Sequence, residues 1–173
     1  EEPDSKRPSC AAEGTRVAVL GGGCFGTAMA QLLARNGYCV TMWVRNSEVR
    51  EQINGHRRNP TYLPGIELHE RIKAVQGLAA AVEGAALVAI AVPTPFLRET
   101  FAQNRDSLPT KVPLVLLSKG IENGTLQTPL EILREELPGK YGKCVCAVSG
   151  LSFAREIAQG LPTNVTCASE CQE

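Results

Sequence analysis

The sequence predicts an α/β fold, a doubly wound and mostly parallel sheet, and three observations predict it. Short apolar runs without polar alternation, such as residues 17–20 and 87–92, are typical of strands covered on both faces. Segments with helical periodicity separate these runs, and this alternation favours parallel pairing. The first run also leads directly into a glycine-rich turn, residues 21–26, within which a helix opens.

Each element is predicted from its own local signal. Apolar residues at helical spacing indicate helices, and short buried runs indicate strands. The Asn36-Gly37 pair supplies a stop for the first helix. In chain order the predicted strands are residues 16–20, 38–44, 72–75, 87–92, 114–117, 144–148 and 165–168, and the predicted helices are residues 25–36, 47–54, 78–82, 96–105, 130–136 and 153–159.

One long connection, residues 55–71, has no clear periodicity. Long ordered loops tend to carry function, which is one interpretation of this segment. The other interpretation is a solvated surface loop whose basic residues face water.

Length and charge bound the function classes. The chain has 173 residues, the length of one domain. Residues 1–15 are expected to form a flexible tail, and residues 16–173 the ordered domain. The 18 basic and 18 acidic residues cancel, so no general attraction to nucleic acid or an anionic membrane is expected. No apolar run approaches the roughly 20 residues of a membrane span. The seven cysteines are interpreted as reduced thiols, and no metal site is predicted.

The glycine turn carries the most specific signal. Gly21, Gly23 and Gly26 fit the G-x-G-x-x-G pattern after a buried strand and at the start of a helix. Gly21 permits the tight turn, Gly23 lets the backbone approach a pyrophosphate, and Gly26 lets the helix pack closely on the strand. The helix N-terminus offers N–H groups and partial positive charge to the anion. The turn therefore predicts a Rossmann dinucleotide-binding domain; glycines that serve only a sharp turn are the alternative.

The end of the second strand bears on the choice of dinucleotide. It runs Trp43-Val44-Arg45-Asn46 and lacks the acid that usually holds the ribose 2′-hydroxyl of NAD. Arg45 would favour a 2′-phosphate through its charge and its bidentate fork. NADP is therefore expected to be accepted at least as well as NAD, unless Arg45 is an ordinary exposed arginine.

Three further segments follow strands and reach the same ligand-binding edge of the sheet. Phe96, after the segment at residues 91–95, is interpreted either as a wall of the cofactor cleft or as core at a helix start. Lys119 would hold an anionic or carbonyl substrate, or stabilise alkoxide charge, unless it is a solvated turn lysine. The serines of residues 149–154 would face a ligand or merely cap a helix.

Five stretches, residues 17–30, 59–65, 91–98, 117–122 and 149–169, carry a resemblance that covers nearly everything after Arg16. The most particular motifs are Asn59-x-x-Tyr62-Leu63-Pro64-Gly65, Ser118-Lys119-Gly120-Ile121-Glu122, and Phe153-Ala154-x-Glu156 with Leu161-Pro162-Thr163. In order and spacing they resemble the NAD(P)-dependent glycerol-3-phosphate dehydrogenase family.

The resemblance implies hydride transfer between NAD(P)H and dihydroxyacetone phosphate or glycerol 3-phosphate. It implies cofactor phosphates over Cys24 and Phe25, adenosine between Arg45 and Tyr62, and contacts of Lys119 with both cofactor and substrate. The expected cofactor-binding residues are Gly21, Gly23, Cys24, Phe25, Gly26, Arg45, Tyr62, Phe96, Lys119 and Ala154. The expected substrate-binding residues are Lys119, Gly150 and Ser152, with Lys119 as the catalytic contact.

Two departures from the family pattern qualify this expectation. The family's helical C-terminal domain, with its proton-transferring lysine, has no counterpart in these residues, so the chain alone is expected to be inactive. Leu151 stands where the family usually has a proline, which leaves the turn less rigid.

Several questions stay open at this point. A related two-domain reductase of a hydroxy acid or keto acid and a non-catalytic dinucleotide-binding module are the alternative functions. A homodimer is expected for the full-length form. The reduced thiols and the glycine turn favour the cytoplasm or a plastid stroma.

Overall fold

The computed structural model describes residues 14–137, 139 and 145–169. Its sheet has seven strands, β1 (Arg16–Leu20), β2 (Cys39–Trp43), β3 (Ile72–Val75), β4 (Val88–Ile90), β5 (Leu114–Leu116), β6 (Val145–Ser149) and β7 (Thr166–Ser169), in the order β3-β2-β1-β4-β5-β6-β7. Its helices are α1 (Cys24–Arg35), α2 (Ser47–His56), α3 (Leu78–Val82), α4 (Thr94–Asn104), α5 (Pro129–Glu136) and α6 (Ala154–Gln159), with a short 3₁₀ turn at Arg105–Ser107. The doubly wound, mostly parallel sheet is confirmed.

The last strand differs from the alternating pattern. Strands β1 to β6 pair in parallel, whereas β7 runs antiparallel to β6. After α6 the chain returns at the edge where β6 ends, so that Thr166 at the start of β7 pairs with Ser149 at the end of β6.

Two predictions fall wholly or partly outside the described residues. The flexible tail was expected at residues 1–15, of which residues 1–13 lie outside them. The predicted strand at residues 144–148 occurs as Val145–Ser149, and Cys144 also lies outside.

Both faces of the sheet are covered by helices. Along β1, Ala18 and Leu20 pack into a cluster with Leu97 and Phe101 of α4, whereas Val17 and Val19 pack into a second cluster on the opposite face. Successive residues of a strand point to opposite faces, so an uninterrupted apolar run fills both cores. This double burial is the physical reason for the absence of polar alternation in β1.

The strand order reverses between β1 and β4. The chain moves outward from β1 through β2 to β3, then returns to the other side of β1 and continues through β4, β5 and β6. Connections leave the carboxyl ends of β1 and β4 in opposite directions, which opens a crevice between them. The crevice is the place where a ligand of a doubly wound fold is expected.

The connection after α2 is solvated in one part and packed against the domain in another. Arg57 and Arg58 are exposed, as expected for a solvated loop. Asn59 and Leu63 are buried and are joined by an isolated antiparallel bridge. The solvated-loop interpretation is therefore wrong for this inner part, which packs against the domain.

Candidate functional site

Segments that follow β1, β2, β4, β5 and β6 meet at the carboxyl edge of the sheet and, with Tyr62 from the connection after α2, form two adjoining clefts. The first has a volume of about 330 Å³ and is lined by Gly21, Gly22, Gly23, Trp43, Val44, Arg45, Asn46, Tyr62, Val92, Pro93 and Phe96. The second has a volume of about 360 Å³ and is lined by Gly23, Cys24, Phe25, Gly26, Ala91, Val92, Pro93, Leu117, Ser118, Lys119 and Ser152. The two clefts share Gly23, Val92 and Pro93.

Two glycines of the turn are required by the packing of the protein itself. Gly21 has a φ of 120°, and a Cβ at this residue would lie 2.5 Å from the carbonyl oxygen of Ala91. A Cβ at Gly26 would clash with the carbonyl oxygen of Gly21. Helix α1 thus packs against the ends of β1 and β4 more closely than any side chain at these residues would allow.

The other two glycines of the turn differ from each other. A Cβ at Gly22 would lie 2.8 Å from both methyl groups of Val44. Gly23 has φ −74° and ψ −176°, an extended conformation open to any residue, and a Cβ there would have no atom within 4 Å. Nothing in the protein requires glycine at Gly23, and the space in front of it is open where the two clefts meet.

One wall of the first cleft is an arginine stacked on an aromatic ring. The Cζ atom of Arg45 lies 4.9 Å from the centroid of the Phe96 ring. Phe96 is 43% exposed, so its interpretation as core is wrong and it walls the cleft. Tyr62, also well exposed, lines the same cleft.

The backbone beneath Arg45 is fixed by side chains that sequence reasoning missed. Arg50 Nη1 donates to the carbonyl oxygens of Val44 and Arg45, at 2.9 and 2.7 Å. The Oδ1 atom of Asn46 accepts from Val49 N at 3.0 Å and caps α2. Asparagine before a helix is a readable N-cap signal. The contacts of Arg50 depend on the path of the turn and have no local signal.

Lys119 gathers the predicted residues of the second cleft. Its Nζ donates to the carbonyl oxygen of Gly150 at 3.3 Å and to Ser152 Oγ at 3.2 Å. The same ammonium lies 5.2 Å from the centroid of the Phe25 ring. Lys119 is exposed, as expected for a solvated turn lysine, and it also contacts the segment after β6 and the Phe25 ring.

The serines after β6 were also interpreted as helix caps. The N-cap of α6 is Phe153, and no side chain caps this helix. Ser152 instead accepts a hydrogen bond from Lys119. Capping alone is therefore the wrong interpretation of Ser152.

The backbone that carries Lys119 is attached to α4 and β4. Thr94 Oγ1, at the start of α4, donates to the carbonyl oxygen of Lys119 at 2.8 Å. Ser118 Oγ donates to the carbonyl oxygen of Val92 at 2.6 Å. These two bonds fix the direction in which Lys119 leaves β5.

An ion-pair network holds the far end of the same loop. Arg98, one turn after Thr94 on α4, donates from Nη2 to Glu122 Oε2 at 2.8 Å and from Nη1 to carboxylates of Glu135 and Glu136 on α5. Hydrogen bonds from Arg98 lower the pKa of the Glu122 and Glu135 carboxyls. Its bond to Glu122 is the main cause that raises the pKa of the guanidinium. Arg98 thereby ties the Lys119 loop to two helices.

Most of the predicted site residues come together, and Ala154 does not. Gly21, Gly23, Cys24, Phe25, Gly26, Arg45, Tyr62, Phe96, Lys119 and Ser152 all line the two clefts, and Gly150 contacts Lys119. Ala154 is partly buried against the cluster of Ala28, Leu63 and Ile157, outside the lining of both clefts.

Two further properties concern the described residues only. Among residues 14–137, 139 and 145–169, no group of three or more His, Cys, Asp or Glu side chains is placed to hold a metal ion. Within the same ranges, no helix has the length and apolar character needed to cross a membrane.

The fold and this edge of the sheet define the class of Rossmann-type dinucleotide-binding domains. The chain belongs to the NAD-dependent glycerol-3-phosphate dehydrogenase N-terminus family, whose model matches residues 16–173. The family assignment made from the motifs is thus confirmed.

Individual relatives agree with the family model. A glycerol-3-phosphate dehydrogenase [NAD(P)+] of Myxococcus xanthus is 47% identical over 89% of this chain and 46% of the relative. The protein of the same name from Bacillus licheniformis is 40% identical over 90% of this chain and 45% of the relative. A crystal structure of glycerol-3-phosphate dehydrogenase from Coxiella burnetii matches with a TM-score of 0.80 and 31% identity, over 91% of this chain and 47% of that one. The chain spans about half the length of the curated relatives it matches.

Replacing Arg98 with Met tests the network that holds the Lys119 loop. Arg98 binds the ionised form of Glu122 in the folded protein, which lowers the pKa of that carboxyl. The resulting contribution to the free energy of unfolding is complete above the ordinary carboxyl pKa of about 4.5, and it is lost as pH falls through the lowered pKa. We therefore expect Arg98→Met to lower the free energy of unfolding at neutral pH and to flatten its decline in acid. Urea unfolding across a pH series measures both effects.

The exposed Arg155 provides a matched control. Arg155→Met is expected to leave the pH dependence of the free energy of unfolding unchanged. If Arg98→Met kept the wild-type pH dependence as well, the network would not stabilise the loop.

Proposed function

We propose that this chain binds NADP(H) or NAD(H) and serves as the cofactor-binding domain of a glycerol-3-phosphate dehydrogenase. The observation that carries the proposal is the open space in front of Gly23, between two clefts that meet there. A dinucleotide consists of two nucleotide halves joined by a diphosphate. The N-terminus of α1 offers N–H groups and partial positive charge where the clefts meet, which suits the diphosphate.

The residues around the clefts suggest how the dinucleotide is divided between them. Arg45, Tyr62 and Phe96 would hold the adenosine half in the first cleft, and the charge of Arg45 suits a 2′-phosphate. The glycine turn, with Cys24 and Phe25, would hold the diphosphate. The second cleft, with Lys119, is left for the nicotinamide half and the substrate.

The chemistry is proposed for the full-length enzyme, and dihydroxyacetone phosphate or glycerol 3-phosphate is the proposed substrate. A bound nicotinamide supplies or accepts the hydride. The Lys119 ammonium has three donors, and it can turn one from Gly150 or Ser152 to a carbonyl or phosphate oxygen. Such a donor stabilises negative charge that develops on the substrate oxygen. We propose that the proton-transferring residue lies outside this chain, so the chain alone binds cofactor without catalysing.

The remaining inferences concern assembly and location. We infer a cytoplasmic location, because the relatives compared above are bacterial dehydrogenases. A plastid stroma and a homodimer of the full-length enzyme stay predictions.

Titration of the 173-residue chain with NADPH and NADH, followed by nicotinamide fluorescence, tests dinucleotide binding. Saturable binding of at least one dinucleotide is expected, and a chain that binds neither NADPH nor NADH would overturn the proposal.

Gly23→Ala should cost at most about 1 kcal/mol of stability, the effect of alanine at an N-cap. It should weaken NADPH binding about tenfold, or about 1.4 kcal/mol, because the new Cβ occupies the space of the diphosphate.

Gly55 in α2 offers the same substitution at a second open glycine. Gly55→Ala is expected to leave NADPH affinity unchanged. If Gly23→Ala bound NADPH as tightly as the wild type, the open space in front of Gly23 would no longer support the proposal.

Arg45→Ala tests the preference for NADP. Loss of a charge-assisted contact of about 1.5–3 kcal/mol predicts at least about tenfold weaker NADPH binding, with little change for NADH. Dissociation constants of both dinucleotides, measured for Arg45→Ala and for the exposed control Arg58→Ala, distinguish the outcomes. An equal loss for NADPH and NADH would show that Arg45 does not read the 2′-phosphate.

A chimera tests the enzymatic proposal. The chain is joined to the second half of the Myxococcus xanthus relative, and NADPH-dependent reduction of dihydroxyacetone phosphate is compared with that of ketopantoate. We expect the chimera to reduce dihydroxyacetone phosphate. Lys119→Met should lower kcat about 100-fold, which is the typical effect of losing one hydrogen-bond donor that stabilises developing charge. The exposed Lys111→Met is the control. Preference for the keto acid in a chimera that binds NADPH would favour the related reductase.

A further inference from the structure

Asn59 is a fully buried polar residue behind the glycine turn. Its side-chain Nδ2 donates to the carbonyl oxygen of Gly22 at 3.0 Å and to Thr27 Oγ1 at 2.8 Å. Its Oδ1 accepts from the backbone N of Tyr62 at 3.2 Å. One amide group therefore joins the glycine turn, helix α1 and the loop that carries Tyr62.

The bond to Gly22 fixes the orientation of a peptide at the meeting point of the two clefts. The peptide between Gly22 and Gly23 is trans, so its carbonyl and its N–H point in opposite directions. The carbonyl points inward to Asn59, whose exposure is 0%. The N–H of Gly23 must then point outward, toward the open space in which its missing Cβ would lie.

The hydrogen-bond inventory explains why an amide is needed at this residue. A side-chain amide has two N–H donors and one carbonyl acceptor. Asn59 uses both donors, one toward Gly22 and one toward Thr27, and its acceptor toward Tyr62. Thr27 Oγ1 also donates weakly to the carbonyl oxygen of Gly22, at 3.4 Å, which closes a triangle of three hydrogen bonds. A carboxylate of the same shape would keep the acceptor and lose both donors.

We propose that Asn59 is a positioning residue for dinucleotide binding, which aims the N–H of Gly23 at the diphosphate and holds Tyr62 beside the adenosine. The inference rests on the proposed function, because it needs a dinucleotide in these clefts. Asn59 itself touches no ligand and acts through the backbone of Gly23 and Tyr62. In the motif Asn59-x-x-Tyr62, the first residue is buried and the last lines the first cleft.

The test compares Asn59→Asp with the wild-type chain and with Gln31→Glu. Gln31 is a buried amide that donates to Glu67 O and accepts from His69 N, away from the clefts, so its substitution loses the same kind of donor. NADPH titration should show about tenfold weaker binding for Asn59→Asp and less than about twofold for Gln31→Glu. Circular dichroism and thermal melting establish that each variant is folded.

Two readouts separate positioning from a general loss of stability. The ¹H–¹⁵N resonance of Gly23 should shift strongly when ADP-ribose binds the wild type, and much less in Asn59→Asp. Affinity of Asn59→Asp for ADP-ribose should partly recover between about pH 8 and about pH 5.5, because a protonated carboxyl regains one donor and burial raises the carboxyl pKa. Gln31→Glu should show no such recovery of affinity.

If Asn59→Asp does not fold, Thr27→Val removes the hydroxyl from the same triangle with nearly unchanged volume. It should weaken NADPH binding about threefold, measured in the same titration. Wild-type affinity in a folded Asn59→Asp, or in Thr27→Val where that variant is used, would overturn the inference. Failure of the wild-type chain to bind any dinucleotide would instead overturn the proposed function, so the two failures are distinguishable.

Discussion

Helix α1 approaches the ends of β1 and β4 so closely that two residues of the turn admit no side chain. Gly21 meets the carbonyl of Ala91, and Gly26 meets the carbonyl of Gly21. This contact directs the N-terminus of α1 into the crevice between the two strands. The position of the first cleft, the exposure of Gly23 and the burial of Asn59 behind the turn all follow from it.

The side of the second cleft that carries Lys119 is built differently, because polar side chains hold it. Thr94 and Arg98 lie one turn apart on α4, and each holds one end of the loop that carries Lys119. Lys119 in turn reaches the segment after β6 through Gly150 and Ser152. The position of the Lys119 loop therefore depends in part on the Glu122 carboxylate, which acid can protonate. The glycine turn is held by backbone contacts that contain no titratable group.

The sequence was sufficient for the order and type of the elements, because burial on both faces leaves inner strands such as β1, β4 and β5 as uninterrupted apolar runs. The direction of β7 was not predictable from its composition or from the length of α6, since the shorter α3 joins two strands that run in the same direction. Helix α5 starts at Pro129 rather than Leu130, and the Thr128-x-x-Glu131 capping box would have given this boundary.

The site was less predictable where it depends on distant partners. Local preference treats Ser152 as a cap, but its partner Lys119 lies 33 residues earlier in the chain. Arg98 reaches Glu122 across 24 residues, and no spacing in the sequence announces that pair. The sequence left open whether Phe96 lies in the core or walls a cleft, because helical periodicity does not reveal whether a cleft opens beside the first turn of α4.

The four glycines of the turn are under different steric constraints. Gly21, Gly22 and Gly26 are kept by steric limits inside the protein, and any descendant with this sheet inherits those limits. Gly23 meets no such limit. In a lineage that retained the domain after giving up its ligand, mutation would first accumulate at this residue while its three neighbours stayed fixed. On the proposed function, the residue at position 23 would therefore report whether a ligand is still used, whereas the rest of the turn reports only the requirements of folding.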